Sequence, residues 1–147
     1  MFALIETDCS SGIGKRNSRL PWSASVDVLA HYKQLTKDRT IIMGYNTYMH
    51  FPMNRFNPSQ TYIVVTIRPE SRQSVHKNVF FVSRLELEQM DTTEFVLVGG
   101  YTMFCIFNDR IKHIYRIHLS HTFHECDLKD PCVVKSCNNI YVRSKQI

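Results

Sequence analysis

The sequence predicts an α/β fold: a mostly parallel sheet, flanked by helices, ending in an antiparallel C-terminal hairpin. Two observations carry this. Apolar, β-branched runs of four to six residues recur along the chain, too short for helices and bounded by glycine, proline or polar turns. Helical patterns separate several of them, the alternation that parallel strands require.

Phe2 to Ile5 reads as a buried strand, followed by a turn-rich segment from Asp8 to Gly12. Ser23 or Ser25 caps a helix that runs to Leu35 or Thr36, with Asp27 in its first turn. Val28, Tyr32 and Leu35 share one face of it at i, i+4 and i+7. Thr40 to Met43 is the next strand, ended by Gly44, and Tyr45 to Phe51 is a short helix stopped by Pro52. Met53 to Ser59 is loop, Thr61 to Thr66 a strongly β-branched strand, and Arg68 to Lys77 polar loop. Val79 to Val82 is a fourth strand, after which Ser83 and Glu86 have capping-box spacing. Phe95 to Val98 is a fifth, ended by Gly99-Gly100 and followed by a helix from Tyr101 to Phe107. Tyr115, Ile117 and Leu119 alternate with Arg116, His118 and Ser120, the pattern of a half-exposed strand. Pro131 to Lys135 and Ile140 to Lys145 form the terminal hairpin, joined at Cys137-Asn138-Asn139.

A chain of 147 residues without repeat or linker is expected to be one domain, 1–147. Its 44% hydrophobic and 21% charged residues exclude a disordered chain. No run reaches membrane-spanning length and the start lacks a signal-peptide pattern, so no membrane association and a cytoplasmic location are expected. The five cysteines contain no Cys-x-x-Cys, and reduced thiols are expected. The net charge of +5 is scattered, which argues against nucleic acid and suits a small polyanion such as a phosphorylated cofactor. His118, His121, His124 and Cys126 match no standard zinc spacing, so no metal is expected. No nucleophile elbow or ordered triad appears.

Two glycine features, Met43-Gly44 and Val98-Gly99-Gly100, each join a strand end to a helix start. Ligands of parallel sheets bind there, because helix N-termini offer N–H groups to phosphates and glycine allows close approach. Asp27 is the candidate acid, with the alternative that it only complements the helix N-terminus.

In order along the chain stand Gly12-Ile13-Gly14, Leu20-Pro21-Trp22, Asp27, Ile42-Met43-Gly44-Tyr45-Asn46-Thr47-Tyr48, Ile63-Val64-Val65-Thr66 and Val98-Gly99-Gly100-Tyr101-Thr102-Met103-Phe104. Together they resemble the dihydrofolate reductase family over roughly residues 2 to 120. The resemblance implies a three-layer fold around a central mixed, mostly parallel sheet of about eight strands. It implies reduction of 7,8-dihydrofolate to tetrahydrofolate with NADPH, and a monomer that binds antifolates. Asp27 would assist protonation and Trp22 would hold a water beside it. Leu4, Ile5, Glu6, His31, Tyr32, Phe51, Arg55, Gln60, Val98, Phe104 and Ile117 would join Asp27 around the substrate. The cofactor would lie against a lid containing Ile13, Gly14, Lys15, Ser18, Arg19 and Leu20, and against Gly44, Tyr45, Asn46 and Thr47. Val65, Thr66, Ile67 and Val98 would also contact it, Ser83 and Arg84 with Arg68 close by would lie near its adenosine 2′-phosphate, and Gly99, Gly100, Tyr101, Thr102, Met103 and Phe104 would join Gly44 to Thr47 around its diphosphate and ribose.

Five positions depart from the family pattern. The arginine that grips the substrate's glutamyl carboxylate falls on Gln60, with Arg55 as a possible substitute; the basic residue after Met-Gly falls on Tyr45. The threonine that supports the acid falls on Ile117, and a small pocket residue on Glu6. The aromatic four residues after the acid falls on His31, with Tyr32 one further, as if this helix carried an insertion or the acid's register differed. These departures leave two alternatives: a weakly active or non-catalytic folate- and NADPH-binding relic, or a reductase of the same fold acting on a non-folate, pyrimidine-like substrate.

Overall fold

A computed structural model describes residues 1–8, 10–14, 25–73, 76–120, 128–132 and 136–142. Seven strands form the main sheet: β1 (Phe2–Thr7), β3 (Ile41–Gly44), β4 (Tyr62–Val65), β5 (Val79–Val82), β6 (Val96–Gly99), β7 (His113–Leu119) and β9 (Cys137–Val142). Their order is β5-β4-β3-β6-β1-β7-β9 and every pairing is parallel. A separate antiparallel pair joins β2 (Gly12–Gly14) to β8 (Leu128–Lys129). The helices are α1 (Val26–Thr36), α2 (Tyr45–Met49), α3 (Arg84–Glu88) and α4 (Tyr101–Ile106).

The apolar runs become central strands because both faces are covered. One face packs Ala3, Ile5, Ile42, Ile63 and Leu97 against Met103, Phe104 and Phe107 of the α4 region. The other packs Leu4, Ile41, Met43, Tyr62, Val64 and Ile117 against Val28 and Tyr32 of α1. Burying one such side chain fully contributes roughly 1.5–3 kcal/mol.

Serine caps set two helix starts. Ser25 accepts from the Val28 N–H, and Ser83 forms the expected capping box with Glu86. The alternative cap Ser23 lies outside the described residues.

The C-terminal expectation is corrected. Cys137 to Asn139, read as a turn, begin β9, which runs parallel to β7. Asparagine favours turns by propensity. Here cross-strand partners hold it extended: His113 Nε2 lies 2.6 Å from Asn138 Oδ1, and His118 Nε2 lies 2.7 Å from Asn139 Oδ1. Residues 133–135 and 143–145, parts of the expected hairpin strands, lie outside the described residues; the antiparallel pairing seen is β2 with β8. Arg116 also differs from its polar, outward reading, being only 8% exposed. Its guanidinium donates to Asp130 at 2.6 Å and to the Cys132 carbonyl at 3.3 Å, so the segment after β8 covers it.

Candidate active site

The strand order places a switch point at the centre of the sheet. The chain starts at β1, winds outward through β3, β4 and β5, then returns to insert β6 between β3 and β1. Crevices beyond the carboxyl ends of strands at such a point are where ligands bind. The pairing of β1 with β6 covers only Phe2–Val96 and Ala3–Leu97, after which the strands part. The register of β6 on β3 also shifts at Val98, between Ile42–Leu97 and Met43–Gly99. Ile5 and Val98 therefore sit at the mouth of this opening.

On one side of it lies a glycine cradle. α2 begins at Gly44 and α4 at Gly100, and neither has a side-chain cap, unlike α1 and α3. The two starts are packed together. A Cβ on Gly100 would lie 2.9 Å from Thr47 Oγ1, and one on Gly44 would lie 3.0 Å from Met103 Cγ. Gly99 has φ +156°, a conformation side chains rarely adopt. Two uncapped helix starts with no room for side chains fit the diphosphate of a dinucleotide. The structure thus brings the α2 start, Gly44 to Thr47, against the α4 start, Gly99 to Phe104, through the approaches of Thr47 to Gly99 and Gly100 and of Met103 to Gly44.

Farther out the expected cofactor residues are more dispersed. Ser83 is engaged in its capping box, and Arg84 donates to Glu88 at 2.8 Å. Thr66 is buried and Val65 half-buried, whereas Ile67 and Arg68 are exposed. Sequence reasoning missed Arg72, whose guanidinium stacks 4.0 Å over the Tyr45 ring. A cation thus returns beside the position where the basic residue after Met-Gly was lost. Ile13 and Gly14 stand on β2, anchored by Asp8, whose carboxylate accepts from the Ser10 and Gly12 N–H groups at 2.8 and 2.7 Å. Lys15, Ser18, Arg19, Leu20 and Trp22 lie outside the described residues.

On the α1 side the sheet carries a buried polar group. Both Arg55 terminal nitrogens donate to the two Glu6 carboxylate oxygens, one of them at 2.8 Å. The side chains are 6% and 9% exposed. Burial opposes the Arg55 charge, but the Glu6 hydrogen bond and charge outweigh it, holding the guanidinium above its ordinary range. Arg55 also lies 5.0 Å from the centre of the Tyr32 ring. Tyr32 is 2% exposed and burial pushes its phenol well up, so it remains an O–H donor. Neither the Tyr32 hydroxyl nor Arg55 Nε has a hydrogen-bond partner among the described residues.

A cleft of about 640 Å³ opens from Tyr32 and Arg55 along α1 and the loop before β4, rimmed by Lys33, Lys37, Arg39 and Gln60. Gln60 Nε2 donates to the Thr36 carbonyl and, at 3.3 Å, to that of Arg39. It ties the loop to the end of α1 without a charge. Leu4, Ile5, Phe104 and Ile117 are buried, and His31, Phe51 and Val98 partly so. Asp27 is exposed, and neither it nor Glu6 is among the residues lining the cleft, which Glu6 adjoins through Arg55. Its neighbour Val28 is 1% exposed and faces the sheet. Among the described residues no group of His, Cys, Asp and Glu is arranged to hold a metal. None of the described helices is long and apolar enough to cross a membrane.

The family model described as dihydrofolate reductase matches residues 1–144. Among solved structures, dihydrofolate reductase from Enterococcus faecalis, complexed with NADP(H) and RAB-propyl, matches at TM-score 0.65 and 28% identity. The match covers 83% of this chain and 71% of that one. A curated relative, segregation and condensation protein A of Mycoplasmoides gallisepticum, is 34% identical over 96 residues. That alignment takes in 63% of this chain but spans only 15% of the relative's length.

Proposed function

This chain belongs to the dihydrofolate reductase family, and we propose that it reduces 7,8-dihydrofolate to tetrahydrofolate with NADPH. The observation that carries the reading is the pair of uncapped glycine helix starts, packed against each other at the strand ends beside the switch point. Bound NADPH would supply the hydride for the imine carbon of the dihydropterin, with the balancing proton for the imine nitrogen coming from water.

The chain's own residues hold and enclose these partners. The first-turn N–H groups after Gly44 and Gly100 take the diphosphate oxygens, and Thr47 and Met103 fix the two helix starts at contact distance. Arg72, poised over Tyr45, offers charge to the phosphates in place of the missing basic residue. Carbonyls at Ile5 and Val98 receive the pterin amino group where β1 and β6 separate. Leu4, Phe51, Phe104 and Ile117 exclude water from the ring. The cationic rim of the cleft, Lys33, Lys37 and Arg39, meets the carboxylates of the glutamyl tail. The family would have α1 supply a carboxylate beside the ring, and Asp27 is in solvent.

The test is NADPH oxidation by the purified protein, with and without dihydrofolate. Dihydrofolate-dependent loss of reduced nicotinamide absorbance is expected; its absence sinks the reading. A second reading, a fold member that binds both ligands without turnover, draws on the exposed Asp27. It predicts thermal stabilisation by NADPH with no oxidation.

A further inference from the structure

We propose that the carboxylate this pocket offers the substrate's ring is Glu6 of β1, not Asp27 of α1. The inference rests on the reductase reading and names the residue that meets the pterin within it. The phase of α1 is set by Val28 and Tyr32, four residues apart and 1% and 2% exposed. Asp27 is one residue earlier, turned about 100° away in an α-helix, and it is exposed. The helix therefore sends a valine to the sheet where an acid was expected.

The sheet makes the complementary exchange. On β7 the supporting hydroxyl of the family pattern is replaced by Ile117, fully buried in the same apolar cluster as Val28. The register partner of Ile117 on β1 is Glu6. Paired residues of parallel strands share a face, so the acid on this face stands on β1, beside the apolar patch of Val28 and Ile117, instead of on α1. An acid stranded there alone would be costly to bury. Arg55 offsets this by donating to both carboxylate oxygens. Each carboxylate oxygen accepts about two hydrogen bonds, so each retains one acceptor site.

Two buried donors at the pair, the Tyr32 hydroxyl and Arg55 Nε, have no partner among the described residues. Leaving a buried donor unsatisfied is unfavourable, and a ligand oxygen relieves it. The Glu6–Arg55 pair and the Tyr32 hydroxyl thus combine two remaining acceptor sites with two donors that have no partner among the described residues. That set recognises a heterocycle bearing an amino group next to a ring N–H, with an oxygen nearby: a 2-amino-4-oxo pyrimidine ring. Glu6 accepts from the amino group and ring nitrogen and orients the ring, while the proton reaches the imine through water.

The test measures binding of 6-methylpterin, a tail-less ring bearing the 2-amino and 4-oxo groups, by calorimetry and needs no turnover. Wild type is expected to bind, Asp27→Asn to bind within about twofold of it, and Glu6→Gln at least about tenfold more weakly. Should Glu6→Gln not fold with Arg55 left unpaired, the charge-neutral Glu6→Gln/Arg55→Gln variant replaces it with the same expected loss. The Asp27→Asn arm decides in any case, since that exposed position does not threaten folding. A tenfold loss in Asp27→Asn, full affinity in Glu6→Gln, or no binding to wild type overturns the proposal. Failure of the reductase reading looks different: no NADPH oxidation while 6-methylpterin binding still depends on Glu6.

Discussion

Breaking the Glu6–Arg55 pair should cost far more stability than deleting it. With 6% and 9% exposure, solvent screens neither partner. Arg55→Met leaves a buried carboxylate unpaired, and Glu6→Leu leaves a buried guanidinium, each worth about 3–5 kcal/mol of destabilisation. Domains of this kind have a total stability of roughly 5–15 kcal/mol, so either variant should lose a large share of it. With a urea slope of about 2 kcal/mol per molar, the unfolding midpoint should fall by about 2 M. The double variant Glu6→Leu/Arg55→Met removes both charges and should return to within about 1 kcal/mol of wild type, or exceed it. Urea unfolding followed by circular dichroism across the four proteins gives the coupling directly. Single variants costing less than about 1 kcal/mol, or a double variant whose loss is the sum of the singles, would refute a buried, mutually dependent pair. A double variant that is stable yet no longer binds 6-methylpterin would identify the pair as a binding feature of the pocket.

Further expectations follow from the same geometry. Gly100→Ala pushes a Cβ to 2.9 Å from Thr47 Oγ1 and should cost about 1–3 kcal/mol, with weaker NADPH binding by fluorescence titration; Thr47→Ala should restore much of both. Gln60→Arg should lower the KM for dihydrofolate about tenfold and leave that for a tail-less dihydropterin unchanged, because only the glutamyl carboxylate gains a partner. Ser83→Ala removes the α3 capping box and should cost about 0.5–2 kcal/mol in thermal unfolding. Cys132 is buried and its thiol is pushed up to about 12, mainly by burial, while Cys105 is exposed. In native protein at neutral pH, mass spectrometry should therefore find iodoacetamide on Cys105 and not on Cys132.

Much of the fold was legible because the strands are covered on both faces. β-branched runs such as Tyr62–Val65 and Val79–Val82 could be placed nearly to the residue, and the serine caps announced α1 and α3. The glycine cradle was legible for a related reason: close approach leaves glycine as the residue that fits. β9 was not legible, because Asn138 and Asn139 are held extended by histidines more than twenty positions away. Arg116 was misread because the acid that buries it, Asp130, comes from a later segment. Asp27 shows two signals in conflict. Its spacing from Trp22 suggested an acid in the pocket, whereas the i, i+4 placement of Val28 and Tyr32 already defined the buried face of α1. Glu6 stood out as an unusual residue, but its pairing with Arg55 spans 49 positions and needed the fold to appear.

The most direct measurement is the fate of the hydride. NADPH deuterated at the transferring position of its nicotinamide would be incubated with the protein and dihydrofolate, and the product analysed by mass spectrometry. Hydride transfer predicts tetrahydrofolate carrying one deuterium, formed in step with NADP⁺. Tetrahydrofolate without the label, or NADPH left unoxidised, would contradict it.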